Sequence, residues 1–297
     1  MSRLFVLSLV LSLALALSYH LQTTLQFPID AFLISDDDII VGSQNTVMTF
    51  DSDGNLTFKA TMNNASLHVQ SITMADGILV ALWSDHVVRL WHPDRSQSEF
   101  VTDYSDLHYD EGSETLVMLS TSLNRSTLNF VDLHGKFVTN YTVPFRISDL
   151  ITFEGLLFFD SLLPITSIDI ATIEGVVTHM KTDERHQLGG LALNDKTVIA
   201  GGSGLSIYNW NGTFITELLR GKVTVSPQVY NETIAFFSLD NSVPVIPIID
   251  MQGNVLDTLV YSDHQTDLSD ASLYFTSQGN IIARNGDQIK IFSACCQ

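Results

Sequence analysis

Along most of the chain, apolar and polar residues alternate in short runs that are separated by turn-forming residues. The runs are rich in Val, Ile, Thr and Phe, as in "FVTNYTV" over 137–143. Alternation with a period of two predicts β-strands with one buried face, whereas an amphipathic helix would repeat every 3.6 residues. After the first eighteen residues, no segment has a convincing helical pattern. The pattern therefore predicts an all-β protein.

A hairpin recurs about every forty residues. Each copy has an alternating strand, a polar turn with glycine and a second strand, as in "LSIYNWNGTFIT" over 205–216. The turn glycines are Gly54, Gly135, Gly175, Gly212 and Gly253. The last four are spaced by 40, 37 and 41 residues, and the first gap spans two periods, with a Pro93-Asp94 turn between. A second hairpin series lies between these copies, so each unit holds four strands.

Seven units of this kind account for the chain, and four short antiparallel strands per unit are typical of a β-propeller. Their approximate bounds are 30–66, 67–102, 103–144, 145–183, 184–221, 222–263 and 264–297. The last unit lacks its outer strand after 288–292, while the strand-like segment 20–27 has no partner. We therefore predict a seven-bladed propeller of four-stranded antiparallel blades, closed by the N-terminal strand, as a single domain over 19–297.

The third strand of these units and its turn resemble the WD-repeat family. "DHVVRLWHPD" (85–94) is similar to the end of such a repeat, with Trp91 at the tryptophan position and His92 where the family has Asp. The same two columns hold, in other units, Phe50-Asp51, Val131-Asp132, Tyr208-Asn209 and Ile249-Asp250. Because the chain has no Gly-His or Trp-Asp dipeptide, the family's His–Asp tetrad is not carried over. The resemblance to WD-like or quinoprotein-like propellers implies a binding scaffold.

The N-terminus has the pattern of a secretory signal. Arg3 precedes an apolar run over 4–17, and Ala16 and Ser18 are small residues suitably spaced for cleavage after Ser18. The run is shorter than the roughly 20 residues of a membrane helix. We predict a signal peptide over 1–18 and a protein that is secreted or lumenal, with no membrane insertion after cleavage. An uncleaved signal anchor is the alternative.

The charge of the chain is strongly acidic. It has 14 Lys and Arg against 33 Asp and Glu, a formal net charge of −19. This balance argues against nucleic acid or an anionic membrane as a partner, and it favours cations or a basic protein.

Six Asn-x-Ser/Thr triplets become acceptors for N-linked sugar in a secreted chain. They begin at Asn55, Asn64, Asn124, Asn140, Asn211 and Asn231. In the predicted architecture, three lie in hairpin turns (Asn55, Asn211 and Asn231), Asn64 lies in a connection between units, Asn124 lies in the turn between the second and third strands, and Asn140 lies in the outermost strand. A bulky sugar is tolerated at all of these positions. We therefore predict a glycoprotein.

A recurrent Asp opens the innermost strand in several units, as in "YSDL" (104–107) and "ISDL" (147–150). The channel-mouth candidates are Asp30, Asp106, Asp149 and Asp270. One hypothesis is an acidic ring that binds a basic side chain or a divalent cation such as Ca²⁺, because carboxylate oxygens are its natural ligands. The alternative is that each Asp accepts hydrogen bonds from nearby backbone N–H groups at the start of the strand.

Other chemistry-bearing residues lack a motif. His108, His186 and His264 lie in acidic connections and could act as ligands or bases, or be solvated loop residues. Cys295 and Cys296 are expected just beyond the third strand of the last blade, with an intermolecular disulfide, a vicinal disulfide and free thiols left open. We expect a non-catalytic protein-binding propeller without a required cofactor. The alternative is a metal-dependent propeller hydrolase or lactonase that uses carboxylates at the channel mouth.

Overall fold

The computed structural model describes residues 18–122, 124–153, 155–161, 167–181, 190–194, 196–261 and 267–295. These residues form β-strands and turns; they include no helix, and so none long and apolar enough to cross a membrane. The strands up to the middle of the chain are β1 (Ser18–Gln26), β2 (Ala31–Ser35), β3 (Asp38–Ser43), β4 (Thr46–Phe50), β5 (Leu56–Thr61), β6 (Val69–Ala75), β7 (Ile78–Trp83), β8 (Val87–Trp91), β9 (Gln97–Val101), β10 (Asp106–Asp110), β11 (Thr115–Ser122), β12 (Arg125–Val131), β13 (Phe137–Val143) and β14 (Ile147–Phe153). The others are β15 (Leu156–Ser161), β16 (Ser167–Thr172), β17 (Gly175–Lys181), β18 (Leu191–Leu193), β19 (Thr197–Ala200), β20 (Leu205–Asn209), β21 (Phe214–Leu218), β22 (Val225–Tyr230), β23 (Thr233–Asp240), β24 (Val243–Asp250), β25 (Val255–Val260), β26 (Ser272–Phe275), β27 (Ile281–Asn285) and β28 (Gln288–Cys295).

The strands form seven antiparallel sheets of four strands, and each sheet is one blade of a propeller. Blades one to six each pair four consecutive strands in chain order, from β2–β5 in the first to β22–β25 in the sixth. We call the strands of a blade a, b, c and d from the channel outward. The predicted all-β, seven-bladed architecture is confirmed.

The seventh blade joins the two ends of the chain. Its sheet order is β1-β28-β27-β26, so the N-terminal strand supplies strand d, as predicted. The predicted place of Cys295 beyond strand c was wrong. Strand β28 extends to Cys295, which pairs with Ser18, because β1 begins before residue 20 and lengthens the ladder. Cys296 lies outside the described residues.

The hydrophobic core consists of layers between neighbouring blades. Between blades two and three, Val80, Leu82 and Leu90 pack with Leu107 and Met118, all at most 1% exposed. Alternation explains this arrangement, because every second side chain of the b and c strands faces the next blade. Full burial of one such side chain contributes about 1.5–3 kcal/mol. The blades are therefore held to each other chiefly by apolar packing.

The turns between strands c and d explain the Asp of the WD-like column. Asp51 Oδ1 accepts hydrogen bonds from the backbone N–H groups of Asp53 and Asn55, at 3.0 and 2.8 Å. Asp132 and Asp250 accept bonds from the residues two and four positions ahead in the same way. The side-chain amides of Asn55 and Asn254 are the main cause that lowers the pKa of Asp51 and Asp250, and the backbone bonds lower it further. The backbone bonds are the main cause that lowers the pKa of Asp132. The Asp of this column therefore stabilises a turn.

All inner strands run in the same direction along a central channel. We call the end where they begin the upper mouth and the end where they finish the lower mouth. The d–a connections and b–c turns lie at the upper end, and the a–b and c–d turns lie at the lower end. Each end of the molecule thus has its own set of turn residues.

Candidate channel-mouth sites

The central channel encloses a cavity of about 1410 Å³. Residues from the inner strand of every blade line it, with apolar side chains such as Leu33, Ile72 and Ile151 along the wall. The cavity is a concave site of the size that accommodates a peptide segment or a small ligand. The aspartates and the arginine among its lining residues lie at the upper mouth: Asp30, Asp106, Asp267 and Arg284.

Asp106 has the most complete set of hydrogen bonds at the upper mouth. Its Oδ1 accepts from Ser71 Oγ at 2.7 Å and from the Leu107 N–H at 2.8 Å, and its Oδ2 lies 3.3 Å from His108 Nε2. Burial acts to raise the pKa of Asp106, but the charge of His108 and these hydrogen bonds outweigh it and hold the pKa at about 2. Asp106 thus joins blades two and three as a carboxylate.

The other predicted channel-mouth residues differ in their surroundings. Asp30 is exposed, lines the cavity and accepts a hydrogen bond from the Gln44 N–H at 2.6 Å. Asp270 is exposed in the connection before β26 and does not line the cavity. Asp149 lies in β14, and its side chain is outside the described residues. Asp30 and Asp106 are the described candidates that line the cavity, and both accept hydrogen bonds from backbone N–H groups. These are the contacts that the backbone-capping alternative requires.

Arg284 is a cationic group at the upper mouth that sequence reasoning missed. Its Nε donates to the Gly286 carbonyl at 3.1 Å and its Nη2 donates to the Ile29 carbonyl at 3.3 Å. The guanidinium group also lies over the ring of Phe32, and the side chain lines the cavity. Burial lowers the pKa of Arg284, although nearby carboxylates oppose the shift. The upper mouth is therefore of mixed charge.

The lower mouth contains a second recess, of about 510 Å³. Asp36, Asp76 and Glu111 line it, and they come from the a–b turns of three consecutive blades. All three are exposed, and no ion pair involves any of them within the described part of the chain. Uncharged and apolar groups complete the lining: Ser35, Met74, Gly77, Tyr109, Thr152 and Phe153.

Carboxylates crowd together around this recess. Burial raises the pKa of Asp38, and the charges of Asp51, Asp36 and Asp37 raise it further. Three of these acids have hydrogen-bond partners: Asp76 accepts from the Tyr109 hydroxyl at 2.9 Å, Asp37 accepts from the Ser277 N–H at 2.6 Å, and Asp51 accepts from N–H groups of its own turn. The remaining charge is open to solvent, so the lower mouth is strongly acidic.

The remaining predicted ligands do not form a metal site in the described ranges. Among those residues, no group of three or more His, Cys, Asp or Glu is placed to hold a metal ion. His108 contacts Asp106, whereas His186 and His264 lie outside the described residues. Calcium binding and the hydrolase alternative stay predictions.

All six predicted glycosylation asparagines lie on the surface. Asn55, Asn211 and Asn231 are in turns at the lower end, and Asn64 and Asn124 are in the connection after β5 and the turn after β11 at the upper end. Asn140 is in the outer strand β13. Exposure is required for a sugar acceptor, and each position meets it.

No protein-family model and no curated protein sequence matches the chain. Its fold is similar to that of the Pan2 WD40 domain of Neurospora crassa, with a TM-score of 0.70 and 9% identity over 92% of this chain and 94% of that domain. It is also similar to Raptor of Chaetomium thermophilum, with a TM-score of 0.71 and 9% identity over 95% of this chain and 30% of Raptor. The chain is a WD40-like propeller. At this identity the likeness establishes the fold alone.

Proposed function

We propose that the chain is a secreted or lumenal, non-catalytic scaffold whose lower mouth binds a basic segment of a partner protein. The observation that supports this proposal is the convergence of Asp36, Asp76 and Glu111 on one recess without ion-pair partners in the described ranges. An acidic recess that has no internal cation is complementary to Lys or Arg from another molecule.

The apolar lining of the recess suits the same side chains. Lys and Arg have aliphatic stems and charged ends, so they pack along apolar groups while the charge stays with carboxylates. Met74 supplies such an apolar surface, and the rings of Tyr109 and Phe153 can attract a cation. The recess thus favours a basic segment over a free metal ion, because no three acidic, His or Cys side chains of the described residues lie close enough together to hold one.

The charge of the whole chain supports association with a basic partner. A net charge of −19 attracts cationic molecules over distances of about 8–10 Å at ordinary ionic strength. This long-range field raises the rate of encounter, and the local carboxylates determine where the partner binds.

The secretory location rests on the N-terminal pattern and on the six exposed sequons. In that compartment sugars would cover the turns, the connection and the strand that hold these asparagines. The turns that form the acidic recess contain no sequon, since the acceptors at the lower end belong to blades one, five and six and lie in other turns. The expected mature N-terminus near Tyr19 is checked by sequencing the protein purified from culture medium.

The test is calorimetric titration of the folded protein with a short lysine-rich peptide. The Asp36→Asn/Asp76→Asn/Glu111→Gln variant removes three charges with little change in shape, and Asn tolerates the positive φ of residues 36 and 76. An exposed ion pair contributes about 0.2–1 kcal/mol. We therefore expect the triple variant to bind roughly 3- to 150-fold more weakly.

The matched control changes the same amount of charge at the upper mouth. In the Asp30→Asn/Asp103→Asn/Asp270→Asn variant the net charge is identical to that of the lower-mouth variant, and all three residues are exposed. We expect this control to keep most of the affinity. Equal losses in both variants would mean that only the net charge matters, and the lower-mouth site would be refuted.

A further inference from the structure

The outer strand of blade three, β13, has an edge that favours pairing with another chain. It is the d strand of its sheet and reads "FVTNYTV", seven residues without Asp, Glu, Lys, Arg or Pro. Phe137 and Val138 are 54% and 49% exposed. An uncharged, β-prone segment of this length on a sheet edge is a template for strand addition and aggregation.

The other outer strands contain features that oppose such pairing. Charged residues occur in β5, β9, β17, β21 and β25, namely Lys59, Glu99, Lys181, Glu217 and Asp257. Strand β1 has no formal charge, but its register with β28 shifts between Leu21 and Thr23, and Gln22 and Thr23 bond to Asp53 of blade one. A charge, or a bulge with a covering turn, protects an edge. Strand β13 has no charge, and its register shift with β12 lies at its start, beside Val138, and leaves residues 139–143 regularly paired.

What distinguishes β13 is a sequon in the middle of the strand. Asn140 is exposed, and its Nδ2 lies 3.5 Å from Oδ1 of Asn129 on the neighbouring strand. Thr142, the hydroxyl residue of the sequon, lies on the same face and is 3.0 Å from Thr127. Tyr141 is on the opposite face, with its ring against Phe130. The acceptor amide therefore lies on a polar, open face beside the free edge.

We propose that an N-linked sugar on Asn140 protects the edge of blade three, in the role that a charged residue has on five of the other six outer strands. This inference rests on the secretory part of the proposed function, because the sugar is added only in that pathway. A pairing strand has to lie about 4.7–4.9 Å from β13, and a bulky, hydrated sugar beside the edge excludes a backbone at that distance.

The experiment compares full-length chains that are expressed in a eukaryotic secretory host. Mass spectrometry measures sugar occupancy at each sequon, and size-exclusion chromatography with light scattering measures the monomer fraction. We expect Asn140 to be occupied and the Asn140→Gln variant to lose monomer severalfold. The Asn140→Lys variant also lacks the sugar but has an edge charge, and we expect it to stay monomeric.

Two controls separate the edge effect from other causes. The Asn124→Gln variant removes a sugar from the upper turn of the same blade, away from the edge, and should match the unaltered protein. Thermal melts of the secreted monomers show whether the Asn140→Gln and Asn140→Lys variants unfold at the same temperature, so that a difference in association is not a difference in folding.

Three results would overturn the inference. They are an unoccupied Asn140 beside other occupied sequons, an Asn140→Gln protein as monomeric as Asn124→Gln, and an Asn140→Lys protein that associates as strongly as Asn140→Gln. If no sequon is occupied, both this inference and the secretory location are wrong. Occupied sequons with no edge effect leave the location intact and refute the inference alone.

Discussion

The two mouths of the channel use the same residue type in different ways. At the upper mouth, Asp106 accepts hydrogen bonds from Ser71 and a backbone N–H, and its pKa is about 2. At the lower mouth, burial and neighbouring carboxylates raise the pKa of Asp38. Satisfied carboxylates stabilise a fold, whereas crowded ones reduce its stability and leave charge available for a partner.

The turn geometry explains only part of the lower mouth. Asp36, Asp37 and Asp76 have φ values of 49°, 69° and 50°, a region where Asp, Asn and Gly are favoured in two-residue hairpin turns. Asn or Gly would serve such turns as well as Asp does. Local conformation therefore accounts for small polar residues at these positions but not for their negative charge, which the proposed binding of a basic segment would use.

The largest effect on stability is expected at the contact between blades three and four at the lower mouth. A Cβ on Gly112 would lie 2.2 Å from the Cα of Gly155, which is backbone that cannot rotate away. We expect Gly112→Ala to lower the free energy of unfolding by roughly 1–3 kcal/mol, measured by urea denaturation. Glu111→Ala, at an exposed residue of the same turn, serves as the control for a general turn effect. Equal stability of Gly112→Ala and the unaltered chain would show that the blades do not approach so closely.

A smaller loss is expected for Asp106→Asn at the upper mouth. The Asp106 side chain is 43% exposed, so solvent screening limits the loss to about 1 kcal/mol. Because the pKa in the folded state lies below the ordinary value of 3.8, the carboxylate stabilises the protein above that value, and the effect disappears as the pH falls towards 2. Thermal melts at several pH values check this. A difference between the two proteins that grows below pH 3 would contradict the assignment.

The opposite sign is expected for Asp38→Asn at the lower mouth. Since its pKa is raised in the folded state, the charged form of Asp38 opposes folding at neutral pH. We expect the free energy of unfolding of the variant to exceed that of the unaltered chain by roughly 0.2–1 kcal/mol. This difference should disappear as the pH falls through the raised pKa to the ordinary value of 3.8. Melts at low salt, where screening is weakest, give the best resolution. A destabilised variant would mean that Asp38 is satisfied and not crowded.

Local chemistry made the blades predictable from the sequence. The glycine turns and the Asp of the c–d turn depend on contacts between residues that are near in sequence. The pairing of the two chain ends depends on two strand-like segments whose alternation is clear in the sequence. The lower mouth was not predictable in this way. The second hairpin series predicts turns at these positions and nothing more, because the convergence of Asp36, Asp76 and Glu111 depends on how three blades are arranged around the axis. The contact of Ser71 with Asp106 likewise joins strands of different blades, and no spacing in the sequence indicates it.

The most direct test of the lower-mouth site locates the contact itself. Carbodiimide activates carboxyl groups and couples them to nearby amines, so a bound lysine-rich peptide is joined to the carboxylates that it touches. Mass spectrometry of the digested, cross-linked protein then identifies the acidic residues. The account predicts links to Asp36, Asp76 and Glu111 that disappear at high salt. Links concentrated on Asp30, Asp103 and Asp270, or spread evenly over the surface, would contradict it.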